Sequence, residues 1–259
     1  MARQRLGQHF LADRGWRKRI LQTLGVAAGE SWLEIGPGHG EMTELLARAG
    51  ARVVAIETDE RLAEELREKA GDWGRVEIVA GDVLQVDLAA LIGDDVRVYG
   101  NLPYYITSPI LRHLFAVAER IASIHIVIQL EVAERIVARP GRRDYGYLSA
   151  LCQFYARPEI ELRIPPGAFR PPPQVKSALV RMTLPGERAE LGIADEERFL
   201  EFVQTCFGQK RKTLRNNLRG VADGGRIEAV LEECGISERA RAEELGLREF
   251  AAAYRAVKK

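Results

Sequence analysis

The chain has 259 residues, 46% hydrophobic and 29% charged, which excludes a disordered polymer and leaves room for one large domain and a small one. Three scattered cysteines without metal-ligand spacing argue against a disulfide scaffold or a metal site and for reduced cytosolic thiols, and the longest apolar stretch, residues 124–130, is too short to span a bilayer. The net charge of +1 hides a segregation: residues 1–20 carry six basic side chains against Asp13, residues 202–221 carry five and no acid, and the remainder is acidic.

The first seven-residue motif, Arg5-Leu6-Gly7-Gln8-His9-Phe10-Leu11, lacks the long apolar core of a signal peptide or membrane anchor. Taken alone, His9 reads as an exposed side chain in a frayed arm. A helix is expected over Arg14–Leu24. A strand at Trp32–Ile35 then runs into Gly36-Pro37-Gly38-His39-Gly40, and Met42, Leu45, Leu46 and Ala49 follow helical spacing. Such glycines let the backbone approach a ligand, and the helix start supplies free N–H groups, though dinucleotide-binding folds share this loop. The next strand, Val53–Glu57, ends in an acid placed to accept from two ribose hydroxyls. A third, Val76–Val79, precedes Gly81-Asp82-Val83, where Asp82 is suited to accept from an adenine amino group.

The apolar run Val96–Tyr99 leads to Asn101-Leu102-Pro103-Tyr104. The proline stops regular pairing, leaving an amide, two carbonyls and an aromatic face at the rim of a sheet. That set suits a flat heterocycle held by its exocyclic amine; the plain alternative is a strand-ending turn with a core tyrosine. A helix at Ser108–Ala118 and a strand at Ser123–Leu130 continue the alternation. The fold class is therefore α/β, a parallel sheet covered on both faces with ligands at the carboxyl ends of its strands. Arg157–Ile164 and Ala178–Leu184 flank a proline loop as a final antiparallel pair. Beyond Pro185-Gly186 only helical spacing remains, at Glu196–Phe207, Lys210–Leu218, Arg226–Glu233 and Leu247–Val257. Two domains follow: 1–185, with an arm at 1–13, and an all-helical 186–259. In the second, Lys210, Arg211, Lys212 and Arg215 lack nearby acids in sequence and suit phosphate contacts, although a solvated helix face is the ordinary reason for such clusters.

Asn101-Leu102-Pro103-Tyr104 resembles the Asn-Pro-Pro-Tyr class of signature in methyltransferases that act on exocyclic amines. Its order after the glycine loop, Glu57 and Asp82 resembles the Rossmann-like class I S-adenosylmethionine-dependent methyltransferase fold. A nicotinamide dehydrogenase has no need of the last element, nor of Glu34 two residues before the first glycine. The arm resembles the Gly-Gln-(Asn/His)-Phe-Leu arm of the ribosomal RNA adenine N6-dimethyltransferases. Phe169-Arg170-Pro171-Pro172-Pro173-Gln174-Val175-Lys176-Ser177 resembles their Phe-x-Pro-x-Pro-x-Val-x-Ser element. Residues 207–218 resemble a stretch of the bacterial 16S branch, departing at Gln209-Lys210 where an arginine pair is expected.

This resemblance implies dimethylation of N6 on two adjacent adenosines in a 3'-terminal hairpin loop of 16S rRNA, within the small ribosomal subunit, by a cytoplasmic monomer without a metal. It implies S-adenosylmethionine bound by Gln8, His9, Leu11, Glu34, Gly36, Gly38, Gly40, Glu57, Asp82, Val83 and Asn101. Asn101, Leu102, Pro103 and Tyr104 would hold the target adenine, with Phe169 facing Tyr104 across the base unless it merely plugs the core. Amide and carbonyl acceptors on the amine favour a pyramidal nitrogen, so no general base is required before transfer. Two rivals remain on the sequence: a 23S rRNA methyltransferase of the antibiotic-resistance type, and a non-catalytic RNA-binding assembly or transcription factor.

Overall fold

A computed structural model describes residues 9–103, 106–209, 211–221 and 223–258. In chain order the elements are β1 (Phe10–Leu11), α1 (Arg14–Leu24), β2 (Ser31–Ile35), α2 (Glu41–Arg48), β3 (Arg52–Glu57), α3 (Glu60–Ala70), β4 (Val76–Ala80), α4 (Leu88–Leu91), β5 (Val96–Asn101), α5 (Thr107–Phe115) and β6 (Ile121–Gln129). There follow α6 (Leu130–Val137), α7 (Tyr147–Tyr155), β7 (Arg157–Ile164), β8 (Phe169–Arg170), β9 (Ser177–Thr183), α8 (Arg188–Leu191), α9 (Glu196–Cys206), α10 (Leu214–Asn217), α11 (Gly224–Glu233) and α12 (Leu247–Lys258). Two compact units result, one of residues 1–133 with 158–184, the other of 134–157 with 185–259.

The first unit is built on a seven-stranded sheet in the order β4-β3-β2-β5-β6-β9-β7. β4, β3, β2, β5 and β6 run parallel, and β9 lies antiparallel to β6. Side chains alternate between the faces. On one, Trp32, Val53, Ala55, Ile78, Tyr99 and Val127 share a buried cluster with Ile20, Met42, Leu46 and Leu66 of the helices. On the other, Leu33, Val98, Ile124 and Ile126 are buried as well. Burial on both sides explains why these strands read as continuous apolar runs. At the amino ends of the strands, Arg97 stacks over Trp32 at 4.3 Å and pairs with Glu30 at 3.1 Å, so its charge is both shielded and matched.

Asp13 starts α1 by accepting from Trp16 N, and Asp59 starts α3 by accepting from Arg61 N, each satisfying an orphan donor of the first turn. The arm does more than fray. β1 pairs antiparallel with β8 in register Leu11↔Phe169, a two-stranded sheet that pattern reading does not reach because each strand is only two residues long.

The second unit takes in residues that a single cut at 185 assigns elsewhere. Apolar α7 buries Ala150, Leu151, Cys152 and Phe154, and such a helix needs a partner. It finds α9, where Phe154 meets Phe199 at 5.3 Å and Phe199 meets Tyr254 of α12 at 5.4 Å. The expected helix over 210–218 is also shorter. Thr213 acts as the N-cap through Asn216 N, so α10 begins only at Leu214, and the Asn217 amide donates to the Cys206 carbonyl at 2.6 Å. Among the described residues, no helix is long and apolar enough to cross a membrane.

Candidate functional site

Register brings the site together. Ile35 lies beside Ile56 and Gly100, and Glu57 beside Ala80, so the carboxyl ends of β2, β3, β4 and β5 open onto one rim. The strand order reverses on either side of β2, which is where an open α/β sheet leaves a crevice. A cavity of about 280 Å³ occupies this rim. His9, Gly36, Gly38, Glu57, Asp82, Val83, Asn101, Leu102 and Pro103 all line it, uniting most of the positions expected from sequence. Ile35, Ile56, Ile106 and Ile110 complete its apolar walls. Nothing in their spacing separates them from ordinary core residues.

The glycine loop is held from the next strand. Glu57, 3% exposed, accepts from Gly38 N through Oε2 and from Asp59 N through Oε1, both at 3.0 Å. Each carboxylate oxygen retains a further lone pair, so the acid can both brace the loop and receive a ligand. Asp82 accepts from Leu84 N at 3.0 Å and thereby fixes the turn that points it at the cavity. A Cβ on Gly38, where φ is +60°, would stand 2.9 Å from the Phe10 ring, so this glycine lets the arm close over the loop. At Gly40 a Cβ would meet Leu66 and Trp73, so packing requires glycine there as well.

The arm reaches the motif after β5. His9 Nδ1 donates to the Pro171 carbonyl at 2.7 Å, and the Asn101 side-chain nitrogen donates to the His9 carbonyl at 2.8 Å. That second bond commits the nitrogen of the amide and turns the role of acceptor to its oxygen. Of the two carbonyls considered from sequence, that of Pro103 already accepts from Ile106 N at 3.3 Å and Thr107 Oγ1 at 3.4 Å. Leu102 is therefore the better second acceptor.

Other expected residues fall elsewhere. Leu11, 7% exposed, and Glu34, 2% exposed, do not line the main cavity but a smaller one of about 30 Å³. Burial, reinforced by Glu41 and Glu57 against the opposing Thr43 hydroxyl, pushes the Glu34 carboxyl up to about 7. Phe169 is 1% exposed and belongs to the core cluster with Leu11 and Leu179, so it plugs the core here and offers no face to a base. In the second unit Arg211 and Lys212 are exposed, but Arg215 pairs with Glu228 of α11, an acid too distant in sequence to be noticed there. Gln8, Tyr104 and Lys210 lie outside the described residues.

Comparison with known proteins accords with this geometry. The family model described as ribosomal RNA adenine dimethylase matches residues 1–259. A protein of Acidobacterium capsulatum named ribosomal RNA small subunit methyltransferase A is 44% identical over 256 residues, covering 98% of this chain and 90% of its own. A protein of the same name from Koribacter versatilis is 39% identical over 269 residues, covering 98% and 94%. Among solved structures, a dimethyladenosine transferase from Plasmodium falciparum superposes with a TM-score of 0.81 at 23% identity, covering 95% of this chain and 96% of its own, a likeness of fold. The 23S rRNA methyltransferase ErmE superposes with a TM-score of 0.70 at 28% identity, covering 96% and 100%. Fold, site and full-length match together place the chain in the ribosomal RNA adenine dimethylase family.

Proposed function

We propose that this rRNA adenine dimethyltransferase acts on the small ribosomal subunit, methylating N6 of two adjacent adenosines in a 3'-terminal hairpin loop of 16S rRNA with S-adenosylmethionine as donor. The observation that carries the reading is the Asn101 amide at the cavity rim, its nitrogen held by the His9 carbonyl. Its oxygen and the Leu102 carbonyl would accept the two N–H bonds of an adenine amine, loosening the delocalised lone pair and aiming it for in-line attack. Tyr104 follows directly in sequence and is the candidate to stack on the base. Because N6 is engaged in a duplex, the target must be unpaired or flipped out.

The residues fit the donor. Glu57 would accept from its ribose hydroxyls and Asp82 from its adenine amino group, between the walls of Ile35, Ile56 and Leu102. Gly36, Gly38, Val83 and His9, which line the same cavity, would lie against it, and Gln8 directly precedes His9 in sequence. When bound, S-adenosylmethionine supplies an electrophilic methyl group. The chain's own contribution is to hold, orient and desolvate. In this reading the first unit carries the chemistry and the second contributes Lys210, Arg211 and Lys212 to RNA phosphates, in a cytoplasmic monomer.

The small-subunit assignment is supported by relatives 39–44% identical that carry that name. ErmE favours the alternative, a 23S substrate. A methylation assay on isolated small and large subunits, with mass mapping of the RNA, decides between them. Two dimethylated adenosines in the small-subunit RNA are expected, and modification confined to 23S rRNA would overturn the reading.

A further inference from the structure

We propose that His113 is a positioning residue for the methyl donor: from α5 it holds the turn that presents Asp82, and so governs how well the site selects the donor's adenine by its amino group. The inference rests on the reading above, in which Asp82 accepts from that amino group.

Asp82, Val83 and Leu84 reach the cavity from the connection that follows β4, and this connection has little grip on the core. Among residues 81–87 only Val83 is buried. Such a segment opens locally at low cost unless hydrogen bonds restrain it. Its internal bonds set the shape of the turn. The Asp82 carboxylate accepts from Leu84 N at 3.0 Å, and the Asp82 carbonyl accepts from Gln85 N at 2.9 Å and Val86 N at 3.1 Å. Two bonds from outside set its place. Gly81 N donates to the Glu57 carbonyl at 2.9 Å, tying the near end to β3. His113 Nε2 lies 3.0 Å from the Val86 carbonyl and ties the far end to α5. A carbonyl cannot donate, so that ring nitrogen carries the hydrogen.

The helix geometry accounts for the reach. Ile106, at the start of α5, and Ile110 line the cavity, and His113, three residues beyond Ile110, continues the same face as far as Val86. One helix therefore supports, at its start, the motif proposed to hold the target amine and, further along, the turn proposed to hold the donor's adenine. Arg120 donates to the Ala89 and Ile92 carbonyls at 2.7 and 3.0 Å, which restrains α4 and the approach to β5 rather than the turn of Asp82. Without the imidazole, the Val86 carbonyl loses its donor and the turn keeps only its tie through Gly81. The Asp82 carboxylate would then no longer be held where an amino group meets it, while the apolar walls of Ile35, Ile56 and Leu102 would still receive the purine ring.

The test is calorimetry of wild type, His113→Ala, His113→Gln and Asp82→Ala with two probes, S-adenosylhomocysteine and its 6-deamino purine analogue, which lacks the amino group. Wild type should prefer the amino compound by on the order of tenfold or more. H113A should bind the analogue within about twofold of wild type yet lose most of the preference, whereas H113Q, whose amide can donate to the same carbonyl, should retain most of it. Hydrogen exchange on the ligand-free protein should show the Leu84 and Val86 amides, both of which donate to Asp82, less protected in H113A than in wild type. Equal weakening of both compounds in H113A, a preference lost as fully in H113Q as in H113A, or unchanged protection would each reduce His113 to packing and overturn the proposal. His113→Leu, which keeps the bulk and has no donor, gives the same comparison if the alanine variant does not fold. A preference lost in D82A but intact in H113A overturns this proposal alone and leaves the reading of Asp82 standing. A wild type that binds both compounds alike would instead sink the assignment of Asp82 to the adenine, and the selection proposed here with it.

Discussion

Asn101 and Asp82 line one cavity, and under the proposed function they would act on different partners, so their replacement should separate binding from chemistry. Asp82 holds its own turn through Leu84 N and presents its remaining acceptor capacity to the cavity. Asp82→Ala should weaken S-adenosylmethionine binding by about 1–3 kcal/mol, read by calorimetry. Asn101→Ala removes the amide proposed to aim the amine, an effect on the chemical step. Its single-turnover rate should collapse while RNA affinity and melting temperature stay near wild type; a rate within a few-fold of wild type would end this role. Both residues were readable in the sequence because Asn101 ends a strand and Asp82 follows one, each in a recognisable motif. The bond between Asn101 and the His9 carbonyl was not, since it joins positions 92 residues apart. The register that sets Glu34 beside Tyr99 likewise exists only in the folded sheet.

At the level of elements, the β1–β8 pair carries the most consequence. It seals Phe169 against Leu11, and burial of that ring is worth more as packing than an exposed stacking face would be. Phe169→Ala should therefore cost about 3–5 kcal/mol of stability in a denaturant titration. Phe169→Leu should lose far less and keep most of the transfer rate, whereas a large rate loss at near-native stability would restore the base-stacking role. Regular elements were the most legible part of the fold. The helix over 14–24 and the strand over 157–164 coincide with expectation, because a cap or an apolar alternation marks their ends. The helix expected from Lys210 starts only at Leu214 because Thr213, a capping residue, outweighs the helix-forming lysines and arginines before it.

Two buried groups with opposite signs should govern the stability of the whole molecule in acid. Burial, with Arg97 and Arg181 nearby, holds the His125 imidazole down to about 3 from 6.5, so the unfolded chain binds its proton first and stability is lost as pH falls through that interval. Glu34, raised from 4.5 to about 7, binds its proton first in the folded state, so stability is gained as pH falls from 7 toward 4.5. At about 1.36 kcal/mol per pH unit the His125 shift is worth about 5 kcal/mol and the Glu34 shift about 3 kcal/mol, and because each involves one proton with opposite sign the two slopes nearly cancel between about pH 6.5 and 4.5. Wild type should accordingly show an almost level melting temperature there. Glu34→Gln removes one arm of the balance and should become steadily less stable across the same range; parallel curves for the two proteins would refute the assignment.

Charge is also distributed unevenly over the chain, and under the proposed function its basic clusters would set how RNA is held. Arg211 and Lys212 are exposed on the second unit, while Arg215 is neutralised by Glu228, so the cluster presents fewer available charges than its sequence suggests. Phosphate contacts release counterions without reading bases, and each contributes about 0.7–0.9 to the slope of log affinity against log salt. Replacing Arg211 and Lys212 together by alanine should lower that slope for small-subunit binding by about 1.4–1.8 units. Arg215→Ala should lower it by less, because the guanidinium must leave its carboxylate before it can meet a phosphate. S-adenosylmethionine affinity should not change in either variant, since Glu57 and Asp82 belong to the other unit. Fluorescence titrations across a salt series measure all three. An unchanged slope in the double variant would reduce these charges to the solvation of a surface and leave the basic N-terminal arm as the main element that grips RNA.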